Sequence, residues 1–362
     1  MATPSVRDWL ALSCIAGLGP VRALRLARSL GGATAALSAL GREATLLPEF
    51  RLRQADEARR WADGELARAA AGGMTFVCWD DEGYPPLLRE IHDPPLVLWL
   101  RGDAACLARP AVAVVGSRAA SDYGRRVARE LGRELVRRGL VVVSGLALGI
   151  DAEAHRGALA AGGVTVGVLG CGLDVVYPPI HGSLYQELAI SGAVLSEYPP
   201  DTSPEPFRFP ARNRIVSGLS LGTVVVEAGQ RSGALITARL ALEQGREVFA
   251  VPGRIDSHKS SGTHRLLQDG AKLVQSVDDI CEEIGWRTQA SAPRTEAVPA
   301  PAASAVGDEE QRLLDILADR ACEVDELVRT SGLDAATVGG ALLRLELAGR
   351  IRQVGRGYER VG

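Results

Sequence analysis

Gly116, Ser117 and Arg118 follow five small apolar residues, Ala111–Val115, and precede a helical stretch beginning near Ser121. Glycine lets backbone approach an anion closely. Amides at a helix start are free to donate and carry the positive end of the helix dipole. The hydroxyls of Ser117 and Ser121 and the Arg118 fork add donors, so this turn can hold a phosphate. Two similar turns follow later apolar runs, Ser144–Gly149 (with Gly145) and Gly170–Gly172. A second cationic group is Arg208, Arg212 and Arg214, within seven residues and interleaved with Phe207, Phe209 and Asn213. Prolines at 199, 200, 204, 206 and 210 keep its approach extended. Guanidinium groups for phosphates beside rings for stacked bases suit a single nucleic-acid strand. The alternative is structural, with both phenylalanines packed beneath the loop and the arginines paired with Glu197 and Glu227. Lys272 adds a cation near the same rim.

The residues do not assemble catalysis. The glycine spacing, G-S-R-x-x-S-x-x-G, puts a bulky Arg where a dinucleotide fingerprint needs its second glycine. No GxxxxGK[ST] segment occurs. Asp151 opens a helix, where a carboxylate suits the dipole. His155 has no serine or carboxylate at hydrolase spacing, and reads as a packing or pocket residue. Cys14, Cys78, Cys106, Cys171, Cys281 and Cys322 are scattered without a CxxC pair, which points to buried free thiols. No catalytic residue, metal site or cofactor is assigned.

The elements that must position these turns read as α/β. Apolar runs Ala111–Val115, Leu140–Val143, Val164–Leu169, Ala193–Leu195, Thr223–Val226 and Val248–Val251 alternate with helical spacing at Tyr123–Arg138 and Ala234–Gln244. Strands apolar throughout, separated by helices, predict a mostly parallel, doubly wound Rossmann-like sheet covered on both faces. Ligands then sit at the carboxyl ends of the strands. Met74–Trp79 and Leu96–Leu100 extend one edge, and a helix begins near Pro210.

Composition sets the limits. The chain has 362 residues, 46% hydrophobic and 4% aromatic, with a formal net charge of -3. That length exceeds one core, so several domains are expected. No segment has the length of a membrane span, and a cytoplasmic protein is expected. The charge excludes a uniformly basic coat but not a local basic groove. Only Lys259 and Lys272 interrupt an otherwise all-Arg basic set.

Taken together, VAVVGSRAASDYG, SGLALGIDAEAH, VGVLGCGLDVVYP, LSEYPP, FPARNRIVSGLS, VVVEAGQRSGALITARLALEQGREVFAVPG and GTHRLLQDGAKL resemble the DNA-processing protein A family, also called DprA or Smf. They run in family order over about residues 85–280. The resemblance implies an extended Rossmann-fold core that binds single-stranded DNA without sequence preference. It also implies a homodimer that protects incoming DNA and loads the RecA recombinase during natural transformation, with no nucleotide turnover. It nominates Gly116, Ser117, Arg118 and Ser121, and Arg212, Asn213 and Arg214, for DNA contact. His181 stands where the family commonly has Asn or another polar residue, and His264 where Asn is usual. The competing reading is a nucleotide-processing enzyme of the phosphoribohydrolase type, but VEAGQRSGALIT lacks its PGGxGTxxE acid.

Two flanking domains complete the expectation. Residues 1–70 read as a small helical domain, with Gly17-Leu18-Gly19-Pro20 as the turn of a helix–hairpin–helix and 10 Arg against 7 acids. Residues 74–286 form the Rossmann-like domain. A Pro/Ala/Ser-rich linker, 287–307, leads to 308–362, which reads as a winged helix with helices at Glu309–Ala318, Val324–Thr330 and Ala335–Ala348. Its hairpin, Arg350–Val354 and Gly357–Val361, turns at Gly355-Arg356-Gly357. Its reading helix, AATVGGALLRLELAG, carries little charge, which argues against sequence-specific duplex binding and a transcription-factor role.

Overall fold

The β-branched runs form strands because both faces of each are buried, where Val and Ile pack well on a pleated surface. A computed structural model describes residues 4–42, 52–287, 308–317, 322–347, 350–354 and 357–360. The chain divides into two units, Met1–Thr288 and Gln289–Gly362. The expected linker lies outside the described residues except for Arg287, and so does the turn at Gly355-Arg356.

In the first unit, helices α1 (Pro4–Ser13), α2 (Gly19–Leu30), α3 (Ala33–Arg42) and α4 (Leu52–Ala71) precede the sheet. Then come β1 (Thr75–Cys78), α5 (Pro86–Arg89), β2 (Val97–Gly102), β3 (Ala111–Val115), α6 (Asp122–Arg137), β4 (Val141–Ser144), α7 (Ile150–Ala160), β5 (Thr165–Leu169), α8 (Gly182–Ser191) and β6 (Ala193–Ser196). The chain continues through α9 (Arg208–Gly218), β7 (Gly222–Val225), α10 (Gly233–Glu243), β8 (Glu247–Ala250), α11 (Ser261–Gln268), β9 (Lys272–Leu273) and α12 (Val277–Glu283). The six central strands fall within one residue of the apolar runs at either end. The short edge strand β9 carries too few residues to show a period, and the sequence pattern did not reveal it.

The sheet has nine strands in the order β1-β2-β6-β5-β4-β3-β7-β8-β9. β1–β2 and β2–β6 are antiparallel and every other pair is parallel. From β3 the chain builds outward through β4, β5 and β6, then returns to place β7 on the other side of β3. The strand order therefore reverses between β3 and β7, and such a switch point opens a crevice at the carboxyl ends of the strands.

Alternation along β3 fixes both faces. Ala111, Ala113 and Val115 join the core beneath α10, while Val112 and Val114 join the core beneath α6 and α7. Each buried Val contributes roughly 1.5–3 kcal/mol relative to exposure. Helix α6 starts at Ser121, whose hydroxyl accepts from the Gly124 amide at 3.0 Å, and buries Gly124, Ala128, Leu131 and Leu135 at helical spacing. The N-terminal helices share a third core with the sheet edge, joining Trp9 and Leu37 to Trp99 and Val194. Trp9 and Trp79 lie 6.2 Å apart, and Arg28 stacks over Trp79 at 4.6 Å. Between α1 and α2, Gly17 (φ 80°) and Gly19 (φ 61°) make the hairpin turn.

The second unit has its own core, including Leu313, Leu327, Val338 and Leu345. Helices α13 (Asp308–Ile316), α14 (Val324–Ser331) and α15 (Ala335–Leu347) pack with a sheet of β10 (Cys322–Glu323), β11 (Ile351–Val354) and β12 (Gly357–Arg360), ordered β10-β12-β11. That is the winged-helix arrangement. Among the described residues no helix is long and apolar enough to cross a membrane.

Candidate anion-binding cleft at the sheet switch point

A cavity of about 640 Å³ opens at the switch point. The turn after β3 gives it Gly116, Ser117 and Arg118; the turn after β4 gives Gly145 and Ala147; α9 gives Arg212 and Asn213. The turn after β7 gives Arg231, Ser232 and Gly233, and the loop after β8 gives His258 and Lys259. The first two turns meet at Gly149, whose φ is 79°. A Cβ there would overlap the Ser117 and Arg118 carbonyl oxygens, so only glycine fits.

Six of the ten residues singled out from sequence therefore gather here: Gly116, Ser117, Arg118, Gly145, Arg212 and Asn213. Arg118 is exposed, and its guanidinium stacks on the Phe209 ring at 5.2 Å. Phe209 also lies 5.4 Å from Tyr177. Asn213 Oδ1 accepts from Arg212 Nε at 3.3 Å. The Ser117 amide donates to the Glu227 carbonyl at 2.8 Å, and the Gly145 amide donates to Asp151 Oδ2 at 3.1 Å. These two amides are thus committed to the protein, and a ligand here meets side chains first.

Arg212 lines the cavity, yet it is only 4% exposed. Its Nη1 donates to the Gly145 carbonyl at 2.8 Å and to the Val168 carbonyl. It thereby ties the ends of β4 and β5 together. Burial lowers its pKa to about 10 against the opposing pull of Asp151. Burial likewise raises the Asp151 carboxyl above its ordinary value, although Arg212 and the Gly145 and Ala147 amides oppose this. Desolvation outweighs attraction for both of these neighbouring opposite charges, which are held away from water without a direct contact between them.

The other four residues lie apart from the cavity. Ser121 caps α6, and its amide donates to Glu227 Oε2 at 2.9 Å while its hydroxyl donates to Glu227 Oε1. The expected phosphate position at the start of α6 is thus filled by a carboxylate of the protein itself. A Cβ on Gly124 would overlap that carboxylate, which is why the helix carries glycine there. Arg214 is buried and bonded to Asp93 (2.8 Å) and Glu197 (2.7 Å), which hold its pKa well above the usual arginine value. The pairing weighed for Glu197 is the one present, whereas Glu227 takes Ser121 instead of an arginine. Arg208 donates to the Ser203 carbonyl at 2.6 Å and stacks over Tyr198 and Phe207, each at 5.3 Å. Lys272 is on the sheet edge in a 3.0 Å ion pair with Glu283. Ser121 came from the glycine turn and Arg208 and Arg214 from the arginine segment, but capping, ion pairing and ring stacking engage them elsewhere.

Sequence reasoning passed over Arg231, His258 and Lys259 as site residues. Signals existed. Arg231-Ser232-Gly233 repeats in reverse the residue types of Gly116-Ser117-Arg118, and Lys259 is one of two lysines. Among the described residues, Arg118, Arg231 and Lys259 have no carboxylate in ion-pair reach, whereas Arg129, Arg137, Arg254 and Lys272 all do. The N-terminus of α10, capped by Ser232, also opens on the cavity. Asp151 is the acidic residue on the same wall, and its carboxylate accepts from the Gly145 and Ala147 amides.

Fold and cleft together define a doubly wound Rossmann-like protein with a cationic crevice at its switch point. Residues 75–285 match the DNA recombination-mediator protein A family, and residues 297–356 match the DprA winged helix domain. The putative DNA processing protein DprA of Mycobacterium tuberculosis (strain H37Rv) is 38% identical over 370 residues, covering 96% of this chain and 92% of that protein. The crystal structure of DprA from Streptococcus pneumoniae superposes with a TM-score of 0.68 at 38% identity, covering 78% of this chain and 99% of that one. A Helicobacter pylori DprA structure, described for its single-stranded DNA binding mode, gives a TM-score of 0.53 at 34% identity, covering 58% of this chain and 95% of that one. The chain belongs to the DNA recombination-mediator protein A (DprA/Smf) family and is a DNA-processing protein with a C-terminal winged helix.

Proposed function

We propose that the cleft binds single-stranded DNA and that the protein acts in the cytoplasm as a recombination mediator, not as an enzyme. In this role a homodimer protects incoming strands and loads the RecA recombinase during DNA uptake. The observation that carries the reading is the set of uncompensated cations, Arg118, Arg231 and Lys259, around a cavity with Phe209 on its wall. Three cations can each displace counterions from a backbone, and a ring stacks any base, so affinity is salt-dependent and insensitive to sequence. The single-stranded DNA named for the Helicobacter pylori relative supports the same ligand class.

The test is an electrophoretic shift series, single against double strand, across a salt titration. Arg118→Ala should weaken single-strand binding uniformly over sequence and reduce the salt slope by about 1. Wild-type affinity and slope in that variant would reject the cleft as the site. Release of free base from nucleoside monophosphates would instead favour the enzyme reading.

A further inference from the structure

Two further depressions open off the central cavity, and each shares walls with it. One, of about 40 Å³, lies between the turns after β4 and β5 and shares Arg118, Phe209 and Arg212. The other, of about 670 Å³, lies along α10 and shares Arg231, Ser232 and Ile236. Because β5, β4, β3 and β7 are successive neighbours in the sheet, the first depression and the central cavity follow one another along its carboxyl edge, and the other depression runs from that edge along α10. Neighbouring strands are about 4.8 Å apart, so the four turns span about 14 Å. Helix α10, 11 residues long, extends about 16 Å from the last of them.

We infer that a strand held in the cleft leaves it over the outer face of α10. This rests on the reading of the cleft as a single-strand site. The other end is closed: Tyr177, Pro178 and Leu148 leave a niche too small for a passing backbone. At the α10 end the wall is open and its chemistry suits a nucleic-acid strand. Arg231 is exposed at the junction without a carboxylate partner among the described residues. Ile236 follows, 42% exposed, as an apolar surface on which a base can rest. Arg239 comes next, paired at 2.8 Å with Glu243, with side chains 81% and 53% exposed. So exposed a pair contributes little to folding, and Arg239 can exchange Glu243 for a phosphate. Glu243 repels the phosphate and limits what this face contributes.

Strand length separates the two parts of the path. Fluorescence anisotropy on the full chain would compare thymidine oligomers of about 4 and about 16 nucleotides. Arg239→Glu should weaken the longer strand by roughly 5- to 10-fold and leave the shorter unchanged. Glu243→Gln removes the repulsion and frees Arg239, so it should tighten the longer strand by about 3-fold, a gain that misfolding cannot produce. The proposal is overturned if neither variant alters the longer strand, or if both lengths change by the same factor. A change in subunit association at unaltered DNA affinity would likewise overturn it, assigning α10 to a protein contact. Failure of the cleft itself reads differently: Arg118→Ala would then bind the short strand as the wild type does.

Discussion

Removing Arg212 should damage the fold before it damages DNA binding. The residue is 4% exposed, and its guanidinium bonds the carbonyls of Gly145 and Val168 and lies near the buried carboxyl of Asp151. Arg212→Met retains the apolar stem but orphans the charge. Leaving a buried ion without its partner costs about 3–5 kcal/mol, and each carbonyl left without a donor adds about 1 kcal/mol. A loss of roughly 5–7 kcal/mol is a large part of the 5–15 kcal/mol typical of folded domains. Urea unfolding followed by tryptophan fluorescence isolates the first unit, because Trp9, Trp61, Trp79, Trp99 and Trp286 all lie within it. The midpoint should fall with the slope unchanged. Adding Asp151→Asn removes the orphan charge, so the double variant should be more stable than Arg212→Met alone. A single variant within about 0.5 kcal/mol of wild type would refute this account of Arg212 as a tie between strand ends.

Three further outcomes follow from the same geometry. Lys272→Ala removes only an edge ion pair with Glu283, so single-strand affinity should equal wild type; a weakened complex in the same anisotropy assay would return Lys272 to the site. His155 is buried with its Nδ1 on Thr165 Oγ1 at 2.6 Å, and burial, aided by His181 and Arg212, lowers its pKa to about 3. The unfolded chain then binds the extra proton, so stability held above pH 6.5 falls on acidification toward pH 3. The slope from this residue is up to about 1.4 kcal/mol per pH unit, and His155→Gln should flatten a plot of unfolding free energy against pH. Gly149→Ala forces a Cβ into the Ser117 carbonyl at positive φ, and should cost about 1–3 kcal/mol or more in denaturant while separating the first two turns.

The same approach of turn to turn explains how a chain of net charge -3 can carry a cationic cleft. Charges elsewhere on the first unit are largely consumed in pairs, such as Arg137 with Glu134 along α6 and Arg254 with Asp256. Glu227 is withdrawn from the cleft into the cap of α6, where two hydrogen bonds from Ser121 satisfy it. Arg118, Arg231 and Lys259 are thus left facing the cleft without a carboxylate in ion-pair reach among the described residues.

The sequence by itself determined the central strands, the helices between them and the glycine turns, though not the two-residue edge strand β9, because these follow from local period and from residues that only certain backbone angles admit. It also placed the winged helix, whose apolar spacing closes a core within a short segment. The tertiary structure alone decided which basic groups face the cleft. Arg208, Arg212 and Arg214 look equivalent in sequence, yet Arg208 only opens α9 and lands on aromatic rings, while Arg212 and Arg214, two residues apart on the helix and so about 200° apart, reach strand ends and Asp93 with Glu197 respectively. Arg231 and Lys259 reach the cleft only because strand order reverses between β3 and β7, bringing together turns more than a hundred residues apart. Pairing across such distances is a property of the packed sheet and leaves no period in the chain.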